Sequence, residues 1–583
     1  MGLRIFGTAL LTSLLTVAPV SAQDSGDDQV AALGEEYRTG SLADYGLTET
    51  ESGAIEPGDR LWSVTPAVQQ ARAARYAEIL ERLNAIDTGS LSDRARTDAL
   101  VLRTLLEEQI GDARFAEWEM PFNSDSNFWT YLNASSAFGT VEQYDDYINR
   151  MRDLPRLFDE HIANANAGLA RGFSVPRVTL EGRDVSIAAF VVDNPSDSPF
   201  FAPFRDMPDR FSDADKMRLV EEGRAAIDQS VTPAYRELLA WFNGTYLPQT
   251  RTTLGASEFP DGEDYYAQQI RQYTTLDLTA EEIHRIGLSE VARITAAMEA
   301  AKDEVGFDGT LDEFIAFLRT DPQFVPDTPD ELMGVAAYVA KRVDDRLSDY
   351  FGLLPRYRHG LRPVDPAIAP FYTAGRGGLE FCQINTHDLP SRPVYNIPAL
   401  TMHECAPGHS FQAALALEQE AFAPFRRQVY FSAFGEGWGL YVEYLGNEMG
   451  IYRTPYERFG QLSYEMWRAA RLVIDTGIHQ YGWSREQAID YLSKHTALSD
   501  REVEGEIDRY ISWPGQALAY KLGEMTMRRV RAKAEAELGE AFDIRKFHDV
   551  VLALGSVPLP ALENRIDRFI AEGGEGLPGV TYD

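Results

Sequence analysis

The chain has 583 residues, 44% of them hydrophobic and 25% charged, a globular balance that excludes disorder or collagen-like repeats as its main character. Its formal net charge is −35. Such an acidic excess repels phosphate backbones, so nucleic acid and anionic lipid are not expected as partners. Two cysteines cannot build a disulfide scaffold.

Met1–Ala22 has the layout of a secretory signal peptide. Arg4 is its only charge, an apolar run spans Ile5 to Val17, and small residues at Val20, Ser21 and Ala22 place the cut after Ala22. No cysteine stands at that cut, where Gln23 follows Ala22, so a lipoprotein is not expected. No later stretch holds about 18 uninterrupted apolar residues, so no membrane span is expected. The expected address is periplasmic or secreted.

Residues 23–56 are polar and Gly-rich and read as a flexible lead-in. Helical periodicity begins at Val68 and runs through Tyr76, Ile79, Leu80 and Leu83. Leu100, Leu102, Leu105 and Ile110 predict a second helix; residues 144–158, 162–169 and 217–247 continue the pattern, with a Pro- and Asp-rich loop over 193–209. Thr279 and Glu282 form a capping box that opens a helix through Ile294. Further helices are expected over 311–318 and 332–351, then an irregular Pro-rich stretch over 355–370. The best strand candidate is Gly378–Asn385, and helix follows to the end. The chain therefore reads as a mainly α, two-lobed body: an N-terminal helical lobe over 57–260 and a catalytic helical lobe over 261–583, with a small β element beside the helix that carries the motif below.

His403 and Glu404 match the first half of the zincin H-E-x-x-H motif, in which two imidazoles one turn apart bind zinc and the Glu activates water. Here the second histidine, His409, stands six positions on. Six residues turn an ideal helix through about 600°, which leaves the two rings roughly 120° apart. Pro407 and Gly408 lie between them; proline cannot supply the helical N–H, and glycine accepts unusual dihedrals. Two outcomes stay open: a bulge that brings both rings to one metal, or a helix stop with His409 opening a new helix and no metal. A third ligand is available at Glu436, on a helix whose Phe434, Trp438, Tyr441, Val442 and Leu445 make one apolar stripe. Gly435, Gly437 and Gly439 flank it, each costing about 1 kcal/mol in a helix interior, which points to a closely packed neighbour. Glu443 shares its face. Two histidines and a glutamate with one open position make a catalytic zinc arrangement, one ion per chain, with manganese or cobalt as other possible occupants.

These residues resemble the bacterial "domain of unknown function 885" family. Its pattern H-E-x-x-P-G-H-x-x-Q stands here as His403 to Gln412, and its E-G-W-x-L-Y-x-E as Glu436 to Glu443. Its downstream signature runs from Arg471 to His479, then Gly482–Ser484, Arg509, Tyr510 and Pro514–Gln516. The resemblance implies an α-rich gluzincin-like fold, similar to angiotensin-converting enzyme and the thimet-type oligopeptidases, with a deep cleft that admits short peptides. It implies His403, His409 and Glu436 as zinc ligands and Glu404 as general base.

One departure is Cys405, where the family often has a small apolar residue. Cys382 lies 23 residues upstream. A disulfide, two buried thiols, or Cys405 as a ligand all remain open. Arg471, Asp475 and His479 recur every four residues and form one helical stripe, either an ion pair with a capping histidine or a support for a metal ligand. Tyr510, Gln516 and Tyr520 are expected near the cleft, Tyr520 as oxyanion stabiliser or as core. His387 follows the candidate strand as a substrate contact or a surface histidine. The expected function is hydrolysis of peptide bonds, with substrate pairing along Gly378–Asn385 as an edge strand. Two other functions remain: a metal-dependent amidase or esterase on a non-peptide substrate, and a non-catalytic peptide-binding protein.

Overall fold

The computed structural model describes residues 25–582 apart from 51–52, 367–368, 370–372 and 420–421, so Met1–Ala22 lies outside the described residues. The expected flexible lead-in is instead ordered from Ser25. Helix α1 (Gly26–Asp44) opens on a capping box between Ser25 and Asp28. Its Val30 and Leu33 are buried, and the Phe425 ring lies against Gly34. A polar composition still orders when a few apolar residues on one face meet a core supplied from elsewhere. Strands β1 (Leu47–Glu49) and β2 (Ile55–Pro57) follow as an antiparallel pair with Thr48 opposite Glu56.

Helices α2 (Pro66–Asn84) and α3 (Asp93–Phe115) pack with α1. Their Ile79, Leu83, Leu102 and Leu106 share one core with Met402, Trp438, Tyr441, Val530 and Phe569. Residues 66–115 of the expected 57–260 lobe thus pack into the C-terminal half. Periodicity assigns a buried face but not what buries it. The next helices keep to themselves. Helices α4 (Val141–Arg171), α5 (Asp184–Ala188), α6 (Asp213–Ala226), α7 (Thr232–Trp241) and α8 (Leu247–Gln249) accompany a second core of Trp129, Tyr144, Phe158, Tyr235 and Phe242.

In the C-terminal half, α9 (Gly262–Thr274) precedes α10 (Ala280–Val305), which starts at the predicted Thr279–Glu282 capping box. Helices α11 (Leu311–Thr320) and α12 (Pro329–Tyr350) follow. Strands β3 (Gly360–Pro363), β4 (Gly375–Arg376) and β5 (Phe381–Ile384) form a small sheet of order β3-β5-β4. Two expectations change here. The stretch over 355–370 contains a strand, and the candidate Gly378–Asn385 contracts to β5, the central strand rather than an edge. β3 runs parallel to β5 and β4 antiparallel to it, so both of its ladders are taken. The two cysteines form a disulfide, Cys382 of β5 to Cys405, with Cα atoms 5.2 Å apart.

Helices α13 (Ile397–Glu404) and α14 (His409–Glu418) carry the motif. Then come α15 (Ser432–Glu448), α16 (Pro455–His479), α17 (Arg485–His495), α18 (Asp500–Ser512), α19 (Ala519–Leu538), α20 (Ile544–Leu552) and α21 (Leu559–Ala571). Helix α16 is buried on every side from Ser463 to His479, the mark of a helix inside a large core. It lies along α10, while α15 lies along α19. The protein is mainly α-helical, and among the described residues no helix is long and apolar enough to cross a membrane.

Candidate metal centre

Of the two outcomes left open for the motif, the chain adopts the helix stop, and the rings converge all the same. Helix α13 stops at Glu404 and His409 opens α14, yet the two imidazoles meet. Their ring centres are 4.8 Å apart and nearly perpendicular, at 85°. The turn between them is tied down on several sides. Ser410 Oγ donates to the Glu404 carbonyl at 3.1 Å, and Trp438 Nε1 of α15 donates to the Pro407 carbonyl at 2.8 Å. The disulfide fixes Cys405, the first residue past α13, to the sheet. The glycines of α15 admit close neighbours. A Cβ on Gly439 would stand 2.6 Å from the His403 ring. A Cβ on Gly437 would stand 2.5 Å from the backbone of Gly523 in α19.

Glu436 completes the cluster. One ligand atom from each of His403, His409 and Glu436 lies within 4.8 Å of the others. Glu436 Oε2 is 3.5 Å from His403 Nε2 and 3.4 Å from His409 Nε2. A tetrahedral zinc site with arms of ~2.05 Å has edges of roughly 3.4 Å, so this donor set fits such an ion in type and in spacing. His403 is buried, whereas His409 and Glu436 keep 16% and 15% exposure, which leaves one side open to water.

The surroundings set the charge. Burial works against a His403 cation, but hydrogen bonds to Glu436 and Glu443, together with the charge of Glu404, push its pKa up to about 10. Burial likewise opposes the Glu436 carboxylate, while His409 and His403 hold its pKa well below the usual range. The cluster is thus organised around positive charge. Behind it, Glu443 Oε1 lies 2.7 Å from His403 Nδ1, which leaves Nε2 facing the cluster. Arg468 of α16 stands 3.6 Å from the same carboxylate oxygen.

Glu404 is not one of the three donors. Its Oε2 accepts the Gly377 N–H at 2.5 Å, just beyond strand β4. Sequence reasoning missed this contact, as it missed Tyr430, whose hydroxyl donates to Glu436 Oε1 at 3.1 Å. Tyr430 lies outside any helix, so no periodicity points to it. It is 55% exposed, yet burial among protein atoms, then Glu436 and Tyr520, raise its phenol pKa well above normal.

The remaining predicted residues divide. Glu443 touches His403 of the cluster. Tyr520 lies by Tyr430, and its hydroxyl accepts from Arg509 Nη2 at 3.3 Å. Gln516 accepts from the same nitrogen at 2.8 Å. Arg471 and Tyr510 are buried and bonded to each other, Nε to hydroxyl, at 2.7 Å. Asp475 and His479 do not hold a metal ligand. Asp475 accepts from Tyr266 and from the Gly515 N–H, while His479 accepts from the Ala256 N–H and lies 2.9 Å from the Tyr510 carbonyl. The stripe on α16 instead fastens the backbone at Gly515 and at Ala256. His387 is exposed, and its N–H donates to Asn385.

A solved structure from Colwellia psychrerythraea, described as a "putative lipoprotein", superposes with a TM-score of 0.85 at 28% identity, covering 94% of this chain and all of that one. A second, from Shewanella oneidensis and described as a "putative lipoprotein of unknown function", gives 0.70 at 18% identity, covering 93% and 99%. No curated protein matches. Residues 47–566 match the family "Bacterial protein of unknown function (DUF885)". With nearly its whole length matched, the chain belongs to the DUF885 family.

Proposed function

We propose that this protein is a zinc-dependent hydrolase of the cell envelope that cleaves peptide bonds in short peptides. The observation that carries the reading is the three-donor cluster, with a fourth carboxylate, Glu404, beside it and free of ligand duty. Zinc, when bound, supplies a Lewis acid and water activation near neutral pH. His403, His409 and Glu436 would hold it, and Glu443 keeps the His403 tautomer. Glu404, steered by the Gly377 N–H, takes a proton from the attacking water and passes it to the leaving amine. Tyr430, hydrogen-bonded to Glu436, is the phenol assigned to a developing oxyanion, ahead of Tyr520. Since β5 is enclosed, an extended substrate would pair along the β4 side of the sheet, next to Glu404. The description of two similar structures as lipoproteins supports an envelope address.

Elemental analysis and hydrolysis assays test this together. The wild type should hold about one zinc and His409→Ala should lose it. Glu404→Gln should keep the metal while turnover falls at least ~100-fold. A wild type that takes up no zinc after refilling, or a fully active Glu404→Gln protein, overturns the proposal.

A further inference from the structure

We infer that Arg509, backed by Arg471 and framed by Gln516 and Tyr520, is a receptor for the C-terminal carboxylate of the substrate. The inference rests on the hydrolase reading and narrows its substrate class to peptides bound by a free carboxyl end.

The argument begins with an imbalance of charge. Arg471 of α16 is 1% exposed and Arg509 of α18 is partly exposed, and both remain protonated at any ordinary pH. They share one carboxylate. Glu506 Oε2 accepts from Arg471 Nη2 at 2.8 Å, and Glu506 Oε1 lies 3.6 Å from Arg509 Nη1. Their other partners are neutral: Tyr510 for Arg471, Gln516 and Tyr520 for Arg509. Asp125 also acts on Arg509, but it is exposed, and water screens it. Asp475, one turn along α16, feels the Arg471 charge, but burial keeps it protonated up to about pH 7; below that, about one positive charge is left without a close counter-charge, an arrangement that costs stability unless something arrives to use it.

The donors are also incomplete. Arg471 Nη1 and Arg509 Nε are buried and have no hydrogen-bond partner. The Arg471 guanidinium lies over the Tyr520 ring, 4.2 Å from its centre, and the Tyr520 hydroxyl accepts from Arg509, so one phenol touches both cations. In Arg509, Nη2 already serves Gln516 and Tyr520, so the nitrogen with hydrogens left for a carboxylate is Nη1, 3.6 Å from Glu506.

Position then selects the ligand. Helix α15, which carries Glu436, and helix α19, which carries Tyr520, cross in close contact at Gly437 and Gly523; Tyr430 bonds Glu436 at one end of this row, and Tyr520 bonds Arg509 at the other. A carboxylate on Arg509 would therefore belong to the short end of a chain whose scissile bond lies at the cluster. A chain terminus is the carboxylate that every short peptide offers there.

Calorimetry on the Glu404→Gln protein, with N-acetyl-trialanine and its C-terminal amide as probes, tests the assignment. The free acid should bind at least tenfold more tightly than the amide. Arg509→Gln should bring that ratio close to one, and Arg509→Lys should retain part of it. Equal binding of acid and amide before any Arg509 change overturns the receptor, and so does a preference that survives Arg509→Gln; the first comparison needs no Arg509 variant to fold. Turnover by the wild type separates the two readings. A tenfold preference in a protein that hydrolyses neither peptide upholds the receptor and removes the hydrolase. Equal hydrolysis of both upholds the hydrolase and removes the receptor.

Discussion

Glu443 is wholly buried, yet it determines what His403 can bind. Its carboxylate beside Nδ1 leaves Nε2 as the free donor, and Arg468 stands 3.6 Å from the same carboxylate oxygen. Glu443→Gln should lower zinc affinity by about tenfold, within the range seen when such supports are altered. Competition with a chromogenic chelator measures it, and an unchanged affinity would show the contact to be incidental. Asp475 offers a test by pH. Burial raises its pKa to about 7, against the pull of Tyr266, the Gly515 N–H and Arg471. The folded state therefore holds this proton more tightly than the unfolded state. Its contribution is full near pH 4 and is lost as pH rises to about 7, by roughly 1.4 kcal/mol for each pH step of one between those limits. Asp475→Asn should gain thermal stability relative to the wild type across that interval; parallel melting curves would contradict it. His403, Glu404 and Glu436 were legible because their chemistry is compressed into short motifs. Tyr430 and the Gly377 N–H were not, since a loop tyrosine and a backbone amide carry no periodic or compositional mark.

The crossing of α15 and α19 shows what a helix face can disclose. Three glycines around Glu436 signalled a close neighbour, and each has one: Tyr430 at Gly435, the Gly523 backbone at Gly437, the His403 ring at Gly439. The identity of the partner helix was hidden, because its own contribution is the single Gly523. That crossing sets the phenol of Tyr520, one turn before Gly523, across from Glu436. Gly523→Ala would drive a methyl into the Ala433 carbonyl. A loss of about 3 kcal/mol or more is expected, at the upper end for overpacking because backbone must move. Denaturant titration reads the stability, and a loss under 1 kcal/mol would mean the helices part easily. The central place of β5 was equally illegible. Its neighbours come from a Pro-rich stretch and a two-residue strand, too short to show alternation.

At the scale of the molecule, the helical character was plain from periodicity, while the division of the cores was not. Helices α1 to α3 carry ordinary amphipathic patterns, and nothing in such a pattern says that their partners lie some 300 to 500 positions on. Those early helices reach the site's own surroundings. Phe425 lies on α1, and Arg426 binds Asp98 of α3, only a few residues before Tyr430. The disulfide works in the opposite direction, from the outside world inward. It joins the sheet to the residue directly after Glu404, so the geometry of the metal motif is completed by an oxidant that the cytosol does not maintain. On the proposed reading of an exported zinc protein, the reduced chain would be the poorer competitor for zinc, and uptake of the ion would follow export. Zinc affinity measured on the same chain, reduced and oxidised, should differ at least tenfold in favour of the oxidised form; equal affinities would mean that metal can be taken up before departure.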